Sequence, residues 1–415
     1  MVSVSLTESV PKILSLTSSQ AAALNALGNR LVTSPAASTS IDEDDALPDA
    51  SLIRCHGLGD NQYRLTVADA VGIVACDDLV VEVGPKIPPA HLRYLMERSR
   101  FFGSTARGST SAAPDRPLWE LVIEWYLLAV EVLLKRGLLA DYDPLIDQLA
   151  FARGSIRAVE TAEAFYRGTL LLDCEFEEFS EDAPLNRLLL SALNSIIEMP
   201  GVRPDLRRRG VISRAQMSHV GPLRPSDLRV VLDRRSHYYD DAHKLALHVL
   251  ASTGRTFTVG SEKAWSFLVR TPLLVEEAIR HELRAHLGGV CKISKRPVPI
   301  DSTGMTLNPD LMFGSIGVGD VKYKVPSSGW IRPDLYQLTT FAVGCAVESA
   351  LLVAFATEGT PALPDVKIGD VCLHPALWDT SRPPEVAAAN LVDEVRNWLD
   401  TAIARRGRSH IERDV

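Results

Sequence analysis

The stretch that decides the fold is Pro309-Asp310-Leu311-Met312-Phe313, followed by Gly319-Asp320-Val321-Lys322. Apolar residues next to each aspartate predict two short strands, and the glycines between them predict a turn. Because residues i and i+2 of a strand point to the same face, Asp320 and Lys322 are expected to lie side by side. The spacing also predicts a hairpin that places Asp310 across from Asp320.

Asp310 and Asp320 predict a metal site, because two converging carboxylates repel each other unless a cation lies between them. Oxygen ligands favour Mg²⁺, with Mn²⁺ as the alternative. Such an ion would polarise a phosphodiester and lower the pKa of a bound water. Lys322 would orient that water, deprotonate it or stabilise the developing charge, and Glu276 or Glu277 offers a further carboxylate. The bland alternative is a charged surface hairpin, because the pattern is short.

Residues 256–415 have the pattern of a C-terminal α/β domain of modest size. Helices, strands and turn residues alternate here in the order helix–β–β–β–helix–β. The predicted elements are a helix at 272–287, strands at 290–294, 309–313 and 318–323, a helix at 333–347 and a strand at 350–356.

Residues 51–255 predict a mixed α+β region, and residues 1–50 an N-terminal extension. The extension contains a helix near 19–31 and a small, polar, acidic segment at 34–50 that is typical of a linker. A second loose segment covers 103–117. The other predicted elements are strands at 63–67 and 79–83 and helices at 90–100, 117–136, 184–198 and 240–252.

The composition excludes several classes of protein. The chain has 415 residues, 46% of them hydrophobic and 23% charged, as expected of a folded protein with more than one domain. No apolar run is long enough to span a bilayer, and no leader pattern is visible, so we expect a cytoplasmic protein and no membrane partner. The six cysteines are scattered, which argues against zinc and disulfides. A net charge of -8 argues against a generic DNA-coating protein.

A local run of arginines offers candidate contacts to DNA phosphates. Arg207, Arg208 and Arg209 are consecutive, with further arginines on either side. The alternative interpretation is a solvated helix face, which charge alone does not separate from a DNA contact.

The Asp310/Asp320/Lys322 pattern resembles the PD-(D/E)xK nuclease signature. In that fold a glutamate-bearing helix precedes the strands, and the register favours Glu276 over Glu277. The resemblance implies metal ligands at Asp310, Asp320, Val321 and Glu276. The stretch Asp334-Leu335-Tyr336-Gln337-Leu338-Thr339-Thr340-Phe341 is similar to the helix after the lysine strand, and Gln337 is expected to support the site.

Three upstream blocks resemble McrC, the nuclease subunit of McrBC restriction systems, in the order of that family. They are Val83-Gly84-Pro85-Lys86-Ile87, Arg153-Gly154-Ser155-Ile156-Arg157 and Glu175-Phe176-Glu177-Glu178-Phe179-Ser180-Glu181-Asp182-Ala183-Pro184-Leu185-Asn186-Arg187.

The McrC resemblance implies a partner and a substrate. The partner is a McrB-like AAA+ GTPase, engaged by residues before about 255, and the substrate is modified double-stranded DNA. The chain itself has no GxxxxGK[ST] loop for nucleotide phosphates, which agrees with a motor supplied by another protein.

The acidic block that ends at Arg187 has a structural interpretation. Alternation predicts a strand and then a turn, with Ser180 or Asp182 capping the next helix and Asn186 and Arg187 tying the turn. The run His237-Tyr238-Tyr239-Asp240-Asp241 is likewise expected to start a helix rather than to bind a metal.

Three functions remain open at this point. The leading hypothesis is a Mg²⁺-dependent DNA endonuclease subunit of a McrBC-like defence system, coupled to an AAA+ GTPase. The alternatives are a non-catalytic adaptor of the motor and a stand-alone RecB-like DNA repair nuclease.

Overall fold

The computed structural model describes residues 2–33, 51–99, 116–257, 263–300, 304–326 and 329–413. The predicted linker at 34–50 and most of the predicted loop at 103–117 lie outside these residues. The chain forms two compact units. Unit 1 comprises Met1–Trp125 with Ala251–Val415, and unit 2 comprises Tyr126–Leu250.

The first part of unit 1 consists of short strands and amphipathic helices. Apolar side chains between Leu6 and Val83 share one core cluster, which includes Leu24, Leu65 and Val81. The elements are β1 (Val2–Thr7), β2 (Lys12–Ser15), α1 (Ser18–Thr33), β3 (Ile53–Gly59), β4 (Gln62–Val67), β5 (Ala70–Cys76), β6 (Leu79–Gly84), α2 (Pro89–Arg98) and α3 (Leu118–Arg136), within which the unit boundary falls.

Unit 2 combines a three-stranded antiparallel sheet, in the order β7-β9-β8, with a group of helices. Its elements are β7 (Asp141–Leu149), β8 (Ser155–Ile156), α4 (Ala158–Tyr166), β9 (Leu172–Ser180), α5 (Pro184–Glu198), α6 (Pro204–Ala215) and α7 (Asp240–Ser252), with short 3₁₀ turns at Pro225–Arg229 and His237–Tyr239.

The chain then returns to unit 1 with the predicted order helix–β–β–β–helix–β, interrupted by a small hairpin and extended by further elements. They are β10 (Thr253–Phe257), β11 (Lys263–Arg270), α8 (Thr271–Leu287), β12 (Ile293–Ser294), β13 (Val298–Pro299), β14 (Thr306–Leu307), β15 (Leu311–Phe313), β16 (Gly317–Val321), α9 (Arg332–Gly344), β17 (Ser349–Ala356), β18 (Val366–Ile368), β19 (Val371–Asp379) and α10 (Pro384–Arg413). The mixed α/β fold class is confirmed.

Strand pairing joins segments that the sequence pattern had separated. One sheet has the order β1-β6-β5-β11-β10, in which β1 runs parallel to β6 and β11 antiparallel to β5. The compact units therefore differ from the predicted segments 1–50, 51–255 and 256–415. The reason is that residues 2–7, 253–257 and 263–270 complete a sheet with strands at 70–76 and 79–84, a pairing that no local pattern reveals.

The second large sheet of unit 1 has the order β12-β15-β16-β17-β19-β18, with β16, β17 and β19 parallel. Val318 packs in one cluster with Leu338 and Phe341 of α9. Its neighbour Gly317 faces Trp398 of α10, since a Cβ there would lie 2.7 Å from that ring. Because neighbouring residues of a strand point to opposite faces, α9 and α10 cover opposite faces. Asp320, two residues after Val318, belongs to the α9 face.

The predicted strand–turn–helix junction of unit 2 is confirmed. The amide of Asn186 donates to the carbonyl of Leu139 at 2.8 Å and to that of Glu181 at 2.7 Å. Arg187 donates to the carbonyl of Asp182. These side chains tie the turn between β9 and α5, so the acidic block has a structural role here.

The predicted caps of α5 are wrong. The N-cap residue is Ala183, without a side-chain hydrogen bond. The Asp182 carboxylate instead accepts the N–H of Gly221 at 2.8 Å, and the Ser180 hydroxyl accepts the N–H of Asp182 at 3.0 Å. The predicted helix start within residues 237–241 is confirmed, since α7 begins at Asp240. Among the described helices, none has the length and apolar character needed to cross a bilayer.

Candidate active site

The predicted hairpin brings Asp310 and Asp320 together. Strands β15 and β16 pair antiparallel, with Leu311 opposite Gly319. Asp310 directly precedes β15, Asp320 lies within β16, and their exposed fractions are only 6% and 3%. The main-chain N–H of Val321 donates to Oδ2 of Asp310 at 2.9 Å, which fixes one aspartate to the strand of the other.

The electrostatics of this pair oppose ionisation of both members. The pKa of Asp310 is raised to about 7, mainly by burial and next by the negative charge of Glu276. The pKa of Asp320 is also raised to about 7, mainly by burial and next by the negative charge of Asp310. A bound cation would remove this penalty, because it favours the ionised form of each carboxylate.

Lys322, directly after β16, lies beside the aspartates as predicted. Its Nζ is 2.6 Å from Oδ2 of Asp320 and donates to Oε1 of Gln337, in α9, at 2.8 Å. Burial alone would lower the pKa of Lys322, but the negative charges of Asp320, Asp310 and Asp334 together outweigh it, Asp320 first among them, and the pKa is raised. The ammonium therefore stays protonated at neutral pH, and Gln337 orients it.

The choice between the two glutamates of α8 falls on Glu276. Its carboxylate lies 3.5 Å from Nζ of Lys295, and its charge contributes to the raised pKa of Asp310. Glu277 instead pairs with Arg280 on the same helix. The register inferred from the resemblance thus agrees with the placement.

Two cations at the site were missed in the sequence. The Arg280 guanidinium donates to the carbonyl of Asp310 at 2.9 Å, and Nζ of Lys295 lies 3.8 Å from Oδ1 of the same residue. Arg280 follows Glu276 by four residues, so helical spacing offered a signal for it. Lys295 follows a two-residue strand, and nothing in the sequence pattern singles it out.

The carboxylates at the site offer oxygen donors to a divalent cation. Within the described ranges, no three side chains of His, Cys, Asp or Glu are arranged as a metal site. Oδ2 of Asp320, however, is buried without a hydrogen-bond partner, since its contact with Lys322 is an ion pair without hydrogen-bond geometry. Mg²⁺ commonly takes one or two carboxylates and keeps several waters. Asp310 and Asp320 fit that demand, with Glu276 and the main chain of Val321 as further candidates.

The arginines predicted to contact DNA lie in unit 2, on α6. Arg207 donates to the carbonyl of Met199 at 2.7 Å, and Arg209 binds both oxygens of Glu131 at 2.7 and 2.9 Å. Arg208 is exposed. Two of the three therefore have intramolecular partners that hold α6 in place, which leaves Arg208 as the candidate DNA contact.

The fold and the site define a class: a mixed α/β protein with a buried carboxylate pair and a lysine on its central sheet. Residues 65–353 match the family described as McrBC 5-methylcytosine restriction system component. The match covers more than half of the chain, so the protein belongs to this family. The family resemblance predicted from the sequence is confirmed.

One solved structure agrees with the fold over almost the whole chain. The chain is similar to one in the half-complex, from a tetradecameric assembly, of Thermococcus gammatolerans McrB AAA+ hexamers with bound McrC. Identity is 16% and the TM-score 0.58, and the match covers 95% of this chain and 100% of that one. A chain of the Thermococcus gammatolerans McrBC complex has 17% identity and a TM-score of 0.43 over 69% of this chain and 88% of that one. No curated protein matches the chain.

Proposed function

We propose that this protein is the DNA-cleaving subunit of its restriction system, a Mg²⁺-dependent endonuclease that works with an AAA+ GTPase. The observation that carries the proposal is the buried pair Asp310 and Asp320 beside Lys322 in a member of the McrBC family. A pair of carboxylates with raised pKa values is costly to bury, and such perturbed groups cluster at functional sites.

The residues at the site have separate tasks in phosphodiester hydrolysis. Asp310 and Asp320 would hold the ion, which when bound polarises the phosphodiester and lowers the pKa of a water. Lys322 keeps its proton, which favours stabilisation of negative charge on the phosphate over abstraction of a proton. Gln337 restrains the ammonium, and Arg280 restrains the main chain at Asp310.

The site and the family support two other functions less well, a non-catalytic adaptor and a stand-alone repair nuclease. An adaptor that only binds DNA or the motor has no need of two buried aspartates whose ionisation burial opposes. A stand-alone repair nuclease of the RecB-like type needs no motor, whereas the family of this chain is described as a component of a restriction system.

We expect cleavage of modified double-stranded DNA to require three additions together: this chain, the AAA+ protein that co-purifies with it, and GTP with Mg²⁺. A gel assay with each addition omitted in turn, and with a chelator, measures this. Cleavage by the chain alone without GTP would favour the repair nuclease. No cleavage under any condition, together with no binding of divalent metal, would favour the adaptor.

The partner surface that we propose is the apolar strand surface of unit 2, formed by Tyr142 and Ile146 on β7 and Phe179 on β9. Tyr142 lies opposite Phe179, their ring centroids are 5.2 Å apart, and their exposed fractions are 62% and 63%. Exposed apolar clusters of this kind mark protein–protein interfaces. McrC is bound to McrB hexamers in the Thermococcus assembly, and we propose a hexamer of that class as the partner here.

The double substitution Tyr142→Ser with Phe179→Ser is expected to weaken partner binding about 10- to 100-fold, because aromatic side chains dominate interface energies. The unfolding temperature should hardly change, since both rings are exposed. The control is Val211→Ser with Ile212→Ser, which removes exposed apolar side chains from α6 instead. Unchanged affinity of the first variant in a pull-down titration would exclude this surface.

A further inference from the structure

Glu8, directly after β1, is a glutamate with 0% of its surface exposed. Its Oε1 accepts the N–H of Lys86 at 3.1 Å and the hydroxyl of Tyr323 at 2.7 Å, and its Oε2 accepts the hydroxyl of Thr271 at 2.5 Å. A buried carboxylate is tolerated only when such donors replace water. The side chain thus joins three parts of unit 1 that lie far apart in the sequence.

Two of the three partners belong to segments that carry residues of the candidate cleavage centre. Tyr323 directly follows Lys322, at the end of the strand that carries Asp320. Thr271 is the first residue of α8, the helix that carries Glu276. Glu8 therefore connects the segment directly after β16, which carries Lys322, with the helix that carries Glu276.

The Glu8 carboxylate lies at the start of α8, where it contacts the first residue of the helix. The N-cap residue, Arg270, makes no side-chain hydrogen bond to the helix. A carboxylate near a helix N-terminus interacts favourably with the partial positive charge there. Glu8 supplies that group from another part of the chain, and it also binds the hydroxyl of Thr271.

Lys86, from the segment that resembles the PKI block, closes the network around Tyr323. Its Nζ pairs with Asp69 at 2.6 Å and lies 5.0 Å from the centre of the Tyr323 ring. The main-chain N–H of Thr271 donates to the carbonyl of Asp69 at 3.1 Å. A sequence block without chemistry of its own thereby packs beside the residue that follows Lys322.

We propose that Glu8 is a positioning residue of the cleavage centre, which holds the start of α8 against the end of β16 and so sets Glu276 relative to Lys322. This inference rests on the proposed function. Residues that act at such a distance matter because a displacement of about 1 Å at a reacting centre can cost about 10²-fold in rate. The N-terminal segment is then part of the frame of the nuclease.

The first test is Tyr323→Phe, which deletes one hydroxyl and keeps the ring that packs against Phe355. We expect kcat for DNA cleavage to fall about 10- to 100-fold, with KM for DNA and assembly with the partner unchanged. The matched control is Tyr94→Phe, which deletes a buried hydroxyl that donates to Glu282 in the later half of α8 at 3.3 Å. It should lose a similar amount of stability but keep the parental kcat.

The second test compares Glu8→Ala with Glu8→Gln. The amide oxygen of glutamine can accept from Lys86 and Tyr323, and its amide can donate to the hydroxyl of Thr271. We therefore expect Glu8→Gln to keep most of the parental kcat and Glu8→Ala to lose it.

Different results would contradict the positioning role of Glu8 and the proposed nuclease function. A parental kcat in Tyr323→Phe, or an equal loss in Tyr94→Phe, would overturn the positioning role while Asp320→Asn remained inactive. Continued cleavage by Asp320→Asn would instead overturn the proposed function itself.

Discussion

Replacing Asp320 with asparagine is expected to lower DNA cleavage at least about 10³-fold and, without divalent cations, to raise the unfolding temperature of unit 1. Cleavage is lost because the variant removes a charged oxygen donor from the centre. Stability rises because the metal-free protein buries two carboxylates that repel each other. Lys322→Ala should also lose cleavage. Both variants should still bind the AAA+ partner protein, because the apolar strand surface is untouched.

The pH dependence of stability follows from the direction of the pKa shift. The pKa of Asp320 in the folded chain is raised to about 7, above its ordinary value of 3.8. The unfolded chain therefore releases this proton first, and the folded parent loses stability as the pH rises from about 4 to about 7. The gain of Asp320→Asn over the parent should grow across that window, towards about 1–3 kcal/mol.

Thermal unfolding of parent and variant in chelator, at several pH values between 4 and 8, measures this gain. Mg²⁺ should stabilise the parent at neutral pH and have little effect on Asp320→Asn. A variant that is less stable than the parent without metal would contradict the electrostatic interpretation. Cleavage at the parental rate would remove Asp320 from the centre.

The same exchange in unit 2, Asp227→Asn, is expected to have the opposite effect on stability, a loss of about 3–5 kcal/mol. Asp227 accepts Nε of Arg187 at 2.8 Å and Nη2 at 3.0 Å, and the two side chains are 1% and 3% exposed. Removing the charge of Asp227 leaves the buried Arg187 with only the more exposed Asp182 as a charged partner, at 3.3 Å. Burial by itself raises the pKa of Asp227, but the hydrogen bonds and positive charges of Arg187 and Arg224 together outweigh it and the pKa is lowered.

Urea unfolding of unit 2 at neutral pH measures this loss. Because the folded pKa lies below the unfolded value, the stabilisation by Asp227 is present above about pH 4 and disappears as the pH falls through the folded pKa. The control is Asp205→Asn, which breaks the exposed pair with Arg203 and should cost at most about 1 kcal/mol. Equal losses in the two variants would show that the buried pair has no special weight.

Local spacing was enough to predict the aspartate pair and the lysine. The period of two along a strand placed Asp320 beside Lys322, and a short hairpin brought Asp310 to them. Helix lengths and starts were also predictable, since apolar periodicity and proline at the first turn act within one element. The predicted helix at 240–252 coincides with α7.

Spacing did not decide which cation meets which carboxylate. Lys295 reaches Asp310 only because β12 pairs with β15, and Glu276 rather than Glu277 faces the site only because α8 packs in one rotational setting. For the arginines of α6, the sequence suggested an external ligand where the structure shows an intramolecular partner. Charge suggested DNA contacts, but Arg209 is held by Glu131 on another helix.

The sequence by itself determined that this chain carries an α/β sheet with Asp310, Asp320 and Lys322 on neighbouring strands, because those relations depend on strand period and turn length. The blocks outside the sheet established its family. Only the tertiary structure decided that residues 2–7 pair with β6 in the five-stranded sheet of unit 1 and that Glu8 reaches Tyr323. Such contacts between distant residues form because strand edges and buried carboxylates must find hydrogen-bond partners, and the sequence does not state where those partners are.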